Sequence, residues 1–211
     1  MASTTSRRGP YAKTEATREA IMQTALEHFA LHGFHGASMR EIARQAGLSQ
    51  AGVLHHFKTK DELLIATIDS RDALTAEVVK ASISSTSDPL DGMVAVVRDN
   101  VTHRQEVQMF VVVSAEASDP SHPAHDYFTR RQTRVVEMLA AQVRRAIEQG
   151  AARDGIEPTT VARQCQALMY GLQVQWLLDP STDMTAIFGE FVDTLRARPT
   201  TTRAHRSAPR Q

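Results

Sequence analysis

The chain has 211 residues, 42% hydrophobic and 23% charged, with one cysteine and a formal net charge of zero. Such a composition suits one or two soluble domains with a real core and leaves no internal disulfide. The longest apolar run, Met109 to Val113, is about five residues, whereas a membrane-spanning helix needs about 20. The opening MASTTSRRGP has basic residues but no apolar stretch, so no signal peptide and a cytoplasmic location are expected. The zero net charge hides an asymmetry: residues 1–60 carry a net of +4 and residues 61–200 a net of −7. A basic head on an acidic body points to a polyanion met by the head alone.

The prolines and glycines mark out helices, and no alternating run bounded by hairpin turns predicts a strand. The first helix is expected over about 14–32, with Ile21, Ala25 and Phe29 on one face and Gly33 as its stop. A second runs over about 39–46, where Ser38 and Glu41 form a capping box. A third spans about 50–57, capped by Ser49. A fourth starts at the Thr59/Glu62 box and reaches about Ala81, followed by a loop, SISSTSD. The segment DPLD, Asp88 to Asp91, predicts the opening of a fifth helix with Asp88 as cap and Pro89 at its first position. Further helices follow over about 105–117, 123–149 (closed by Gly150), 159–178 and 183–197. The expected fold is therefore all-α: a three-helix head over 13–60, a helical body over 61–198, and disordered tails over 1–12 and 199–211.

The stretch ARQAGLSQAGVLHHF, Ala43 to Phe57, carries the chemistry. Two short helices crossing steeply need a small residue where they touch, which Ala43 supplies. The turn needs positive φ, which Gly47 supplies. Leu48, Val53, Phe57 and Ile42 then pin the pair. This is the helix-turn-helix pattern. Neither piece is long enough to be stable alone, so the first helix must back them. The third helix exposes Gln50, Ala51 and His55, small or hydrogen-bonding residues suited to a major groove. Arg40 lies early in the second helix, and Lys58 and Lys60 follow the third, where phosphates would run. His55 and His56 are adjacent and point apart, so a metal site is not expected there.

The run Thr17 to Leu64 resembles the DNA-binding head of the tetracycline-repressor (TetR) family. Gly33, Phe34, Ser38, Ile42, Ala43, Ala46, Gly47, Ser49, Val53, His56, Phe57, Lys60 and Leu63 match its pattern. One position departs: Leu54 stands where the family usually has a phosphate-contacting tyrosine, and His55 or Lys60 would have to compensate. The expected DNA-contacting set is Ser38, Arg40, Ser49, Gln50, Ala51, His55, His56 and Lys60. Arg7, Arg8 and Lys13 are candidates for a minor-groove arm. The resemblance implies that the body binds a small ligand and dimerises.

In the body, the eighth helix is apolar on more than one face and Gly171 permits a close approach. A symmetric four-helix interface is therefore expected, with Leu168, Leu172, Ile187, Phe188, Phe191 and Leu195 in it. Methionines and scattered aromatics suit an adaptable pocket; its expected lining is Met93, Val97, Met109, Phe110, Phe128, Gln132, Met169, Gln173 and Trp176. His103, Gln105 and Glu116 join Gln132 and Gln173 as polar candidates. Cys165 falls at an apolar helical position and reads as core. No catalytic motif or cofactor fingerprint is visible. The sequence reads as a homodimeric, ligand-released repressor of a near-palindromic DNA site; the rival reading is an architectural DNA-binding protein without an effector.

Overall fold

The computed structural model of the protein describes residues 10–85 and 88–197. Among these, nine helices follow in chain order: α1 Pro10–Gly36, α2 Met39–Gln45, α3 Gln50–His56, α4 Lys60–Ser85, α5 Asp91–Thr102, α6 Arg104–Glu116, α7 His125–Glu148, α8 Pro158–Leu178 and α9 Met184–Asp193. The described residues hold no strand, only an isolated bridge between Ala152 and Arg196. Residues 1–9 of the expected N-terminal tail and all of the expected tail at 199–211, with residue 198, lie outside the described residues. Residues 10–12 are helical, which corrects that part of the N-terminal tail and puts Lys13 on α1.

Local chemistry explains most helix ends. Ser49 caps α3 by accepting from the Gly52 N–H at 3.0 Å. Glu157 caps α8 by accepting from Thr159 and Thr160, with Pro158 in the first turn. Asp183 does the same for α9 from Ala186. Four expectations need correction. Ser38 makes no side-chain cap bond, and the Glu41 carboxylate pairs with Arg44 instead of closing the box. At α4, Thr59 Oγ1 accepts from Glu62 N, but the Glu62 carboxylate returns to Lys58 N rather than to Thr59. Asp88 accepts from Leu90 N in a turn that precedes α5, so the helix proper begins at Asp91. Finally, α4 runs through residues first read as loop, to Ser85, and α9 stops at Asp193.

The packing forms two cores. In the first, Ile21, Ala25 and Phe29 of α1 meet Ile42, Ala43, Val53 and Phe57, then Leu63, Leu64 and Ile68 of α4. This core does not close at residue 60: Met109, Val113 and Ala117 of the α6 end and Tyr127 of α7 belong to it, and Phe128 packs against it. The second core joins α5, α7, α8 and α9 through Val97, Leu139, Val143, Cys165, Leu172, Phe188 and Val192. Helix α1 packs on α6 and α4, α4 on α5, α5 on α9, and α7 on α8. No helix among the described residues is long and apolar enough to cross a membrane.

Candidate nucleic-acid interface and enclosed cavity

The head is a rigid mount for α3. Gly47 adopts φ 70° with open space around it, so its turn requires the conformation rather than the room. Leu48 N donates to Ala43 O at 2.9 Å, closing the α2–α3 turn. Arg18 of α1 donates to the His56 carbonyl at 2.7 Å and lies over the Phe57 ring at 4.1 Å. The end of α3 is therefore fastened to the backing helix. Burial, followed by the charges of His55 and Arg18, lowers the His56 pKa, which favours its neutral form.

Outward from this mount stand Ser38, Arg40, Gln50, Ala51 and His55, all exposed. Ser38, Arg40, Arg44 and Gln50 line one shallow concavity with Glu41 and Leu48. Arg44 was not among the expected contacts. Its signal was there: it lies four residues after Arg40 and so on the same face of α2. Ser49, expected among the DNA contacts, spends its hydroxyl on the cap of α3. Lys60 also differs from expectation. Its ammonium donates to the carbonyls of Phe34 at 2.7 Å and Ala37 at 3.0 Å and sits over the Phe34 ring at 4.3 Å. Two of its three N–H groups thus fix the turn between α1 and α2. Lys58, exposed at the α3–α4 corner, keeps its side chain at the surface.

The head meets the body at Gly33. This glycine has φ 66° and ψ −174°, which breaks the regular helix and turns Phe34 N outward from α1. That N–H donates to Glu116 Oε2, at the end of α6, at 2.7 Å. His122, in the α6–α7 loop, packs edge-on against Phe34 and His35. Its Nδ1 accepts from Ala124 N at 3.1 Å. Burial lowers the His122 pKa, against the raising influence of Glu116.

In the body, α4 to α8 line a partly open cavity of about 120 Å³. Its walls include Met93, Met109, Phe110, Met169 and Gln173 from the expected set, with Met138, Tyr170, Gln142 and Gln166. Two adjacent α4 residues, Arg71 and Asp72, form its floor. Arg71 pairs with Asp99 at 2.6 Å and with Glu106, and donates to Asn100 Oδ1. Asp72 takes a two-pronged bond from Arg131 of α7, whose guanidinium covers the Phe110 ring at 4.4 Å. Tyr127 donates to Asp69 and Asp72. Burial, then the two carboxylates, raises its pKa far above the usual value, so it remains a donor. One turn of α4 is thereby tied to α5, α6 and α7 at once.

A family model described as bacterial regulatory proteins, tetR family, matches residues 21–67. A second, described as BetI-type transcriptional repressor, C-terminal, matches residues 89–197, just over half of the chain. The chain belongs to the TetR family. As a TetR-family protein it is a DNA-binding transcriptional regulator. It is 26% identical over 166 residues to the HTH-type transcriptional regulator SrpR of Pseudomonas putida, covering 79% of this chain and 78% of that one. A transcriptional regulator from Saccharomonospora viridis, solved in complex with choline, superposes with a TM-score of 0.74 at 23% identity, covering 87% of this chain and all of that one. AibR, solved with isovaleryl coenzyme A and operator DNA, superposes with a TM-score of 0.67 at 23% identity over 85% of this chain and 97% of its own.

Against this TetR-family frame, several expected body residues stand elsewhere. Val97 is buried in the α5 core, and Trp176 is packed under the Arg104 guanidinium at 4.9 Å; neither lines the cavity. Phe128 and Gln132 line a separate open groove between α6, α7 and α8. His103 bonds to Asp99, and Glu116 serves the Gly33 junction; Gln105 is exposed. Leu172, Phe188 and Leu195, expected between subunits, are 2%, 0% and 2% exposed within the chain's own core and have no face left for a partner. The exposed stripe of α8 is instead Ala167, Gly171, Val174 and Leu178, beside half-buried Leu168, with Ile187 and partly buried Phe191 on α9. The apolar spacing gave α8 and α9 more than one apolar face; which side turned inward depended on α5 and α7, which the periodicity of α8 and α9 cannot specify. Arg71, Asp72 and Arg131 were also missed, because charged residues in a polar-looking segment read as solvated until their partners are placed.

Proposed function

We propose that this TetR-family regulator is a homodimeric cytoplasmic repressor whose hold on a near-palindromic DNA site is released by a small molecule in the α4–α8 cavity. The observation that carries this reading is the double role of α4. Its first turns belong to the head, with Leu63 and Leu64 in the head core and Lys60 bonded to the Phe34 and Ala37 carbonyls, while Arg71 and Asp72 two turns later form the cavity floor. A ligand that moves the floor therefore moves the head. Ser38, Arg40, Arg44, Gln50, Ala51 and His55 supply groove and phosphate contacts, with Ser49, His56 and the remaining Lys60 N–H behind them. Two heads grip successive major grooves about 34–36 Å apart. Dimerisation is assigned to the exposed stripe Ala167, Gly171, Val174, Leu178 and Ile187, where open space at Gly171 admits a partner helix. The family model's repressor name and the ligand-bound fold neighbours support the reading.

Only a modest coupling is required: a tenfold loss of DNA affinity corresponds to about 1.4 kcal/mol. The test measures anisotropy of labelled DNA from upstream of the gene, with compounds that raise the melting temperature of the protein. A true effector weakens DNA binding, and DNA weakens effector binding by the same factor, since the coupling is reciprocal. Cavity-binding compounds that leave DNA affinity unchanged would refute the effector role. Monomers bound singly to the DNA in sedimentation would refute the dimer.

A further inference from the structure

Besides Glu106, whose carboxylate is ion-paired with Arg71, three side chains in the cavity wall each keep a polar atom without a hydrogen-bond partner. Gln142, Gln166 and Gln173 are each more than nine-tenths buried, at 7%, 5% and 6% exposure. Each has an amide atom with no hydrogen-bond partner: the oxygen of Gln142, the nitrogen of Gln166 and the oxygen of Gln173. Buried polar groups are normally satisfied, and leaving one unmade is costly. A wall of methionines and aromatics gains nothing structural from three such amides. The charged groups beside them are in the opposite condition. Arg131 is paired with Asp72 through Nε and one terminal nitrogen, and Arg71 is shared by Asp99 and Glu106.

We infer that the cavity takes an uncharged single-ring molecule with an amide-type edge, a carboxamide, lactam or imide, read by Gln142, Gln166 and Gln173. This rests on the reading of the cavity as the effector site and names the chemistry of the ligand. An anion meets only guanidiniums already neutralised, and competes with Asp72, Asp99 and Glu106 for them in the interior. A cation finds the Phe110 face already covered by Arg131, and Asp72, Asp99 and Glu106 each already ion-paired with an arginine. A neutral edge presenting N–H beside C=O meets glutamine amides with matching groups and disturbs neither ion pair. The volume gives the order of size: a partly open cavity of about 120 Å³ is comparable to the roughly 150 Å³ that accommodates one benzene ring in an engineered apolar cavity. Choline and isovaleryl coenzyme A, held by the two fold neighbours, are charged, so this chain's specificity departs from both.

The test uses the full-length protein and four single-ring probes: benzamide and 2-pyridone, which are neutral, and benzoate and benzamidinium, which match benzamide in heavy-atom count. Calorimetry without DNA should show the neutral probes binding at least tenfold more tightly than either ion. Gln166→Met and Gln173→Met should each weaken benzamide binding about tenfold yet raise the melting temperature, because a desolvated amide disappears. Tighter binding of benzoate or benzamidinium, or no binding of either neutral probe at millimolar concentration, overturns the assignment. So do methionine variants that melt lower and bind unchanged, the signature of purely structural glutamines. Benzamide that binds without weakening DNA affinity refutes the effector reading and leaves the ligand class standing.

Discussion

Replacing Gly33 by alanine perturbs the junction between head and body in two separable ways. At φ 66° and ψ −174° the backbone sits in a region that only glycine occupies readily, at a cost of about 1–3 kcal/mol for any other residue. A Cβ there would also lie 2.8 Å from the Glu116 carboxylate carbon. The carboxylate is the free end of a flexible side chain and can swing away. It then abandons the Phe34 N–H, whose 2.7 Å charge-assisted bond contributes about 1.5–3 kcal/mol. The combined loss is roughly 2.5–6 kcal/mol, a large share of a typical domain's 5–15. Urea unfolding followed by circular dichroism measures it, and a double-mutant cycle with Glu116→Ala separates the two parts. In the Glu116→Ala background, Gly33→Ala should cost only the backbone share, leaving a coupling of about 1.5–3 kcal/mol. Additive losses would refute the Glu116 clasp, and a Gly33→Ala protein as stable as the parent would refute the strained turn.

Other expectations follow from the same geometry. The lowered pKa of His122 means that the folded state prefers the neutral ring. Its share of stability is present above the ordinary value of 6.5 and is lost as pH falls below it; His122→Asn, which keeps an acceptor for Ala124 N, should flatten the drop in melting temperature between neutral pH and about pH 5. An equal drop in the variant would place the effect elsewhere. Lys60→Met should lower the melting temperature of the head by removing two carbonyl bonds, whereas Lys58→Met should leave it unchanged and reduce the salt slope of DNA binding by about one. An unchanged melting temperature in Lys60→Met would show its bonds to be dispensable. In sedimentation, Val174→Asp should give folded monomers, while Phe188→Asp should lose the helical signal, because its carboxylate would be trapped in the core. A dimeric Val174→Asp would remove α8 from the interface.

Local pattern was enough wherever the deciding interactions are close in the chain. Gly47, Ser49, Ala43 and the Ile42–Val53–Phe57 trio act within a few turns of one another, so the helix-turn-helix and the exposed face of α3 are legible in the order of residues. The same holds for the helix count and for the glycine and proline boundaries, which depend on φ preference and capping. Long-range partners decided the rest. Lys60 reads as a free phosphate ligand until Phe34 and Ala37 fold back to meet it, and Glu116 reads as pocket or surface until Gly33 brings Phe34 N to it. Arg71 and Asp72 look solvated until α5, α6 and α7 enclose them. Apolar spacing gave α8 and α9 more than one hydrophobic face without saying which faces inward, since a helix's own periodicity is indifferent to its neighbours. Only the placement of α5 and α7 buried Phe188, Leu172 and Leu195, left Val174 and Leu178 in solvent, and opened the cavity that Gln142, Gln166 and Gln173 line.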